Sequence, residues 1–232
     1  MKINADFTKR VVVHSDEVPW TPSPMPGVSR RPLDRIGAEV ARATTIVRYD
    51  PGSKFSPHVH AGGEEFIVLD GVFQDEHGDF PAGSYIRNPP QSRHTPGSEP
   101  GCVIFVKLWQ FDPDDRTELR IDMNRADREP DPSRPGVSVT PLFRDNREDV
   151  RLEHWESATE VTFDAAGGAE LLVLEGSFEE SGEVLRKHSW LRVPDGARVV
   201  AKAGPEGARV WIKTGHLRTI TIPEQAAGAG RG

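Results

Sequence analysis

Cysteine is nearly absent: Cys102 is the only one in 232 residues. One thiol forms neither an internal disulfide nor a Cys-x-x-Cys metal knuckle, which fits a reducing, cytoplasmic setting. Positive charge is also scarce, with 29 Lys and Arg against 36 Asp and Glu and a net charge of −7. Such a surface has no broad cationic face to neutralise phosphates, so no nucleic-acid partner is expected. Apolar runs are short. None approaches the roughly 18 residues of a membrane span, and residues 1–19 lack the apolar stretch of about 7–15 residues found in a signal peptide. No membrane partner is expected either. A sustained apolar period of 3.6 residues is missing throughout, which argues against a helical fold.

What remains is β-branched and punctuated by turns. Ala43-Thr-Thr-Ile-Val-Arg-Tyr49, Glu65-Phe-Ile-Val-Leu69, Cys102-Val-Ile-Phe-Val-Lys-Leu-Trp109, Glu170-Leu-Leu-Val-Leu174 and Arg209-Val-Trp-Ile-Lys213 read as strands, each followed by a turn signal. The 22 Gly and 20 Pro supply the turns that such a chain needs. The expectation is an all-β sandwich or barrel. Composition shifts at residues 113–135, which are rich in Asp, Arg, Glu and Pro and read as a polar linker. The tail 223–232, ending Ala-Ala-Gly-Ala-Gly-Arg-Gly, has little to bury and reads as flexible.

The chain contains the same module twice. A shift of 105 positions places Ala61-Gly62-Gly63, Glu65, Val68, Leu69, Gly71, Phe73, Ser84, Arg87, Pro89 and Arg93 on identical residues at 166–168, 170, 173, 174, 176, 178, 189, 192, 194 and 198. A one-residue slip then aligns Ile104-Phe-Val-Lys107 with Val210-Trp-Ile-Lys213. The domain expectation is therefore a first repeat over 1–112, the linker over 113–135 and a second repeat over 136–222.

The chemistry lies in the first repeat. His58 and His60 are two residues apart and share one face of a strand. Glu64 follows a reversal through Gly62-Gly63, and His94 follows the Pro89-Pro90 turn. Three imidazoles and one carboxylate suit a borderline divalent ion, with zinc or iron(II) favoured and manganese or nickel as further candidates.

The pattern Gly52-x5-His58-x-His60-x3-Glu64-x6-Gly71 resembles the first cupin motif. Gly83-Ser-Tyr-Ile-Arg-Asn-Pro-Pro-Gln-Ser-Arg-His94 resembles the second, with altered spacing and without the Asn expected after the His. More narrowly, His-Val-His-Ala-Gly-Gly-Glu-Glu followed by Val-Leu-Asp-Gly-Val-Phe-Gln-Asp-Glu is similar to the cupin domain of ChrR-type anti-sigma factors and their free-standing two-cupin relatives. The resemblance covers about 40–110 strongly and about 140–215 as a degenerate copy. It implies a tandem double-stranded β-helix, a bicupin of jelly-roll barrels, with a three-His, one-Glu metal site at His58, His60, Glu64 and His94.

The second copy separates ligands from scaffold. The four candidate ligands become Phe163, Ala165, Ala169 and Val199 there, so one metal ion per chain is expected. Glu65 persists as Glu170, which favours a structural role for it and leaves Glu64 as the ligand. Arg87, Arg93 and Lys107 likewise persist as Arg192, Arg198 and Lys213. Cys102 begins an apolar strand and reads as a small buried hydrophobe. Because the second copy folds without ligands, the metal is expected to be dispensable for folding.

Two functional readings follow. In the first, the chain is a metal-dependent enzyme acting on a small molecule. Related cupins include dioxygenases that cleave β-diketones, and a substrate chelating through two oxygens suits the site. Glu64, if weakly bound, would act as general base, and Phe66 would give the substrate pocket an apolar wall. In the second, the chain is a metal-dependent sensory module. ChrR-type proteins hold their sigma factor with a zinc domain containing Cys-x-x-Cys, and no cysteine precedes the cupin here, so that mechanism is not expected. Monomer and homodimer both remain open, and Arg10-Val-Val-Val-His14 is a candidate edge strand for either barrel or for a neighbouring chain.

Overall fold

The computed structural model describes residues 1–38 and 40–223, and most of the expected flexible tail lies outside them. Every regular element is a β-strand; no helix occurs among the described residues, and so none is long and apolar enough to cross a membrane. The all-β expectation holds. Its origin is visible in Glu64–Asp75, whose first five residues are all buried on a strand that pairs on both edges. A strand flanked on two edges and covered on two faces has no solvated side, which explains why its sequence lacks clean polar alternation.

Two compact units emerge, and they do not follow chain order. The first comprises Met1–Ala5, Trp20–Asn124 and residues 221–223; the second comprises Asp6–Pro19 and Arg125–Ile220. In the first unit the strands run Lys2–Ile3, Val28–Gly37, Ala41–Tyr49, Cys102–Leu108, Glu64–Asp75, Ser84–Asn88 and Leu119–Asp122 across one antiparallel sheet. Val28, Val47, Phe66, Val68, Phe73, Ile86, Cys102, Ile104 and Val106 form its core. A two-stranded ribbon, His58–Val59 with Arg93–His94, stands apart from that sheet.

The second unit runs Glu129–Pro130, Val137–Arg144, Asp149–Trp155, Ala197–Thr214, Ala169–Glu180, Ser189–Val193 and Val11–His14. Its strand order parallels that of the first unit from Val137 onward. Even the irregularities match, with a register shift after Pro32 in one unit and after Pro141 in the other.

The closing strand of each sheet comes from an unexpected place. Val11–His14 pairs with Ser189–Val193 in the second unit, whereas Leu119–Asp122 pairs with Ser84–Asn88 in the first. The candidate edge strand at Arg10–His14 is thus real, and the segment expected as a polar linker contains two short strands. Polar side chains explain the docking. Arg10 donates from Nε to Glu180 at 2.8 Å, His14 Nδ1 lies 2.9 Å from Ser189 Oγ, and Arg186 pairs with Asp16 and Glu17.

Glu65, Arg87 and Lys107 are opposed across three adjacent strands and are at most 1% exposed. Glu170, Arg192 and Lys213 repeat the arrangement in the second unit. Neutral donors complete each row. Tyr85 donates its hydroxyl to Glu65 at 2.5 Å, and Trp190 donates its indole N–H to Glu170 at 3.1 Å, with His216 Nε2 2.9 Å from the other oxygen. Arg87 donates to Asp115 at 2.9 Å and lies over the Phe111 ring, while Lys213 Nζ meets Glu148 at 2.9 Å.

Removing the central carboxylate from such a row takes one counter-charge away from two buried cations, and breaking a buried ion pair typically costs about 3–5 kcal/mol. Glu170→Ala is therefore expected to lower unfolding free energy by about 3–5 kcal/mol in urea titrations. A loss of less than about 1 kcal/mol would show that water or rearrangement replaces the carboxylate.

Candidate metal centre

The ribbon and one turn assemble the centre. His58 and His94 are direct cross-strand partners, so their side chains leave the ribbon on the same side. His60 follows immediately, and three backbone hydrogen bonds hold its position: its N–H donates to the Ser92 carbonyl, while its own carbonyl accepts from Gln91 and Gly63. Gly63 adopts φ +76, and a Cβ on Gly62 would meet the Trp109 ring at 2.2 Å. Only a chain without side chains makes this reversal beneath two aromatic residues, Trp109 and Phe111. Glu64 then opens the next strand, opposite Asn88.

The three imidazoles each present one nitrogen within 4.8 Å of the others. Glu64 Oε2 lies 3.4 Å from His60 Nε2 and 3.6 Å from His94 Nε2. Donors bound about 2.0–2.1 Å from one tetrahedral ion stand about 3.3 Å apart, and the two Glu64 spacings are close to that value. His60, Glu64 and His94 are buried, whereas His58 is exposed and marks the open side.

Electrostatics support the same conclusion. His60 Nε2 is buried without a hydrogen-bond partner. Burial holds its pKa below the usual histidine value, keeping the ring neutral and its lone pair available. For His94, burial opposes the charged form, but the hydrogen bond to Asp75 and the nearby carboxylates outweigh it and raise the pKa. Asp75 Oδ2 sits 3.2 Å from His94 Nδ1. A proton on Nδ1 directed at Asp75 leaves Nε2 to face the centre, the usual way an outer carboxylate fixes a ligand's tautomer. Asn88 Nδ2 donates to Glu64 Oε2 at 3.3 Å. Two imidazole nitrogens and a carboxylate oxygen converge here, a donor set that fits a divalent cation.

The structure groups His58, His60 and His94 and places Glu64 beside two of them, His60 and His94. Phe66 lies elsewhere: it is 1% exposed and packs in the core, with its ring 4.6 Å from that of Phe73, rather than along the cavity. Asn88 and Asp75 escaped the sequence reading. For Asn88 a signal existed, because it becomes Val193 opposite Ala169 where the ligands are lost. Asp75 becomes Glu180, an acid in both copies, and so carries no such signal.

In the second unit Phe163 faces Val199 in the register that His58 and His94 occupy in the first. Ala165, Ala169 and Val199 are fully buried in its apolar core. The centre opens on a cavity of about 350 Å³ lined by Val28, Val47, Tyr49, Phe55, Ile104 and Trp109 among others.

Comparison with known families agrees with this geometry. The model of the ChrR cupin-like domain matches residues 8–112. That part of the chain is similar to a ChrR cupin-like domain. The matched segment contains His58, His60, Glu64 and His94, together with Asp75 and Asn88.

Solved structures share the cupin-like fold at low identity. A candidate dioxygenase of Nostoc punctiforme superposes with a TM-score of 0.76 at 14% identity, over 95% of this chain and 88% of that one. The Escherichia coli pirin YhhW, solved with nickel(II), gives 0.63 at 13% identity over 89% and 98%. An oxalate decarboxylase variant of Bacillus subtilis gives 0.61 at 10% identity over 88% and 76%. No curated protein matches the sequence.

Two substitutions test the centre. His60→Ala is expected to abolish stoichiometric metal binding, measured by elemental analysis after dialysis, while the far-ultraviolet circular dichroism stays that of the wild type. Asp75→Asn is expected to weaken metal affinity about 10–100-fold; unchanged affinity would mean that Asp75 does not orient His94.

Proposed function

We propose that this chain is a tandem bicupin whose first barrel is a metal-dependent enzyme site for a small chelating carbonyl compound. One divalent ion per chain, zinc or iron(II) in the first instance, would be held by His58, His60, Glu64 and His94. The observation that carries this reading is the grouping of His58, His60 and His94 beside a cavity of about 350 Å³ whose wall includes His58, His60 and Glu64 together with many apolar residues. Pockets of this kind suit small molecules bound through a few placed polar groups. The free, buried Cys102 is consistent with a cytoplasmic setting.

A bound ion would supply Lewis acidity to a carbonyl oxygen and, if iron, the capacity to react with oxygen. The chain's own residues do the rest. Val28, Val47, Ile104 and Val106 give the chamber apolar walls. Tyr49 lines it too, and burial, reinforced by the charge of Glu64, pushes its phenol far above its usual pKa. Its hydroxyl therefore stays protonated and can donate to a substrate oxygen. Glu64, steadied by Asn88, is either the fourth ligand or, when displaced by a chelating substrate, the base that accepts a proton from it.

The ChrR match favours a second reading, a metal-dependent sensory module. Oxygen uptake separates the two. Iron-loaded protein is expected to consume oxygen with β-diketone substrates and His60→Ala to show no turnover. Metal binding without turnover on any chelating carbonyl would favour the sensor.

A further inference from the structure

The cavity carries cations that the metal centre does not use. Arg30 stands on Val28–Gly37 directly opposite Val47, and Val47 both packs in the core and lines the cavity. Opposed residues of an antiparallel pair project to the same side, so the register directs Arg30 into the chamber. Arg35, from the same strand, also lines it and donates to the Ala38 carbonyl. Burial, and after it the charge of Arg30, hold the Arg35 guanidinium below its usual pKa, so the two cations feel each other.

Charge in this chamber is unbalanced. Among its described lining residues the only charged groups are Arg30, Arg35 and Glu64. A divalent ion at the histidines adds two further positive charges against the single carboxylate. No described carboxylate forms an ion pair with Arg30. The buried arginines of the scaffold behave differently, since Arg87 meets Asp115 and recurs as Arg192 in the second unit.

Strand register shows what happens to Arg30 where the metal centre is lost. Val28 opposes Tyr49 and Arg30 opposes Val47; in the second unit Val137 opposes Trp155 and Val139 opposes Glu153. The counterpart of Arg30 is thus Val139, which packs against the apolar core. This cation disappears together with the four candidate ligands and Asn88.

We infer that the cavity binds a chelating carbonyl compound that also bears a carboxylate, with Arg30 receiving the carboxylate and Arg35 reinforcing the positive field. The inference rests on the proposed chelating role of the metal centre and narrows its substrate class to anions. Arg30 is a recognition residue here, and the apolar walls accept the carbon chain between the two polar ends.

The test uses nickel-loaded full-length protein and two probes with the same β-diketone head, 4,6-dioxoheptanoate and its methyl ester, with affinities measured by calorimetry. The wild type is expected to bind the acid about 10-fold or more tightly than the ester. Arg30→Met should reduce that preference to within about 2-fold at unchanged ester affinity and nickel content, and Arg30→Lys should retain part of it. The apolar side chain at Val139 indicates that Arg30→Met is compatible with the fold, and circular dichroism checks this. Equal affinity of the wild type for acid and ester, or an undiminished preference in Arg30→Met, would overturn the role of Arg30 while leaving the chelating site intact. Failure of both probes to bind nickel-loaded protein would overturn the chelating role and, with it, this inference.

Discussion

A buried carboxylate between two buried cations fixes the geometry of each unit. Glu65 lies across from Arg87 on one side and Lys107 on the other, and all three are sealed from solvent. Side chains alternate along a strand, so pinning Glu65 to one face commits Glu64, Phe66 and Val68 to the opposite face. A one-residue slip would drive Glu65 toward the apolar cavity and separate its charge from Arg87 and Lys107, at a cost of several kcal/mol. Glu64 thus faces His60 and His94 because its neighbour is locked the other way.

The second unit shows that this lock is independent of metal. Its row of Lys213, Glu170 and Arg192 is intact, yet the positions of the centre hold Phe163, Ala165, Ala169 and Val199. Polar groups in its interior serve another end. Glu153, the counterpart of Val47, is fully buried, and it accepts from both terminal nitrogens of Arg134 at 3.0 Å, from Arg151 Nε at 2.7 Å and from Trp155 Nε1 at 2.7 Å. Arg134, Arg151 and Trp155 thus supply Glu153 with every donor it needs from the chain itself. In the first unit the corresponding wall is Val47, and the cation there is left for a ligand.

Much of this was legible in sequence because duplication supplies an internal control. Comparing the copies identified His58, His60, Glu64 and His94 as the changing set and assigned Glu65, Arg87 and Lys107 to the scaffold, where the structure finds them buried and opposed. Arg30 stayed hidden because loop lengths differ between that strand and the histidine ribbon: its counterpart lies 109 positions on, not 105, and emerges only from strand pairing. Asp75 stayed hidden because acidity persists at Glu180, which binds Arg10 instead of a histidine. Phe66 was misleading because its parity points inward, yet Phe73 covers it. The polar segment 113–135 concealed Leu119–Asp122, whose four residues alternate too briefly to stand out from their charged surroundings.

The exchanged edge strands bear on how the chain reaches its fold. His14 meets Ser189 across 175 residues of sequence, so this strand is made long before its partner. Such a closure is slow in topological terms, and until it occurs the backbone donors and acceptors along Ser189–Val193 remain open to any other strand. Val11–His14 therefore acts as a late clasp: a nascent chain interrupted before residue 189 would carry a β-branched segment with nowhere to pair, a natural point of engagement for chaperones or for misassembly with another copy.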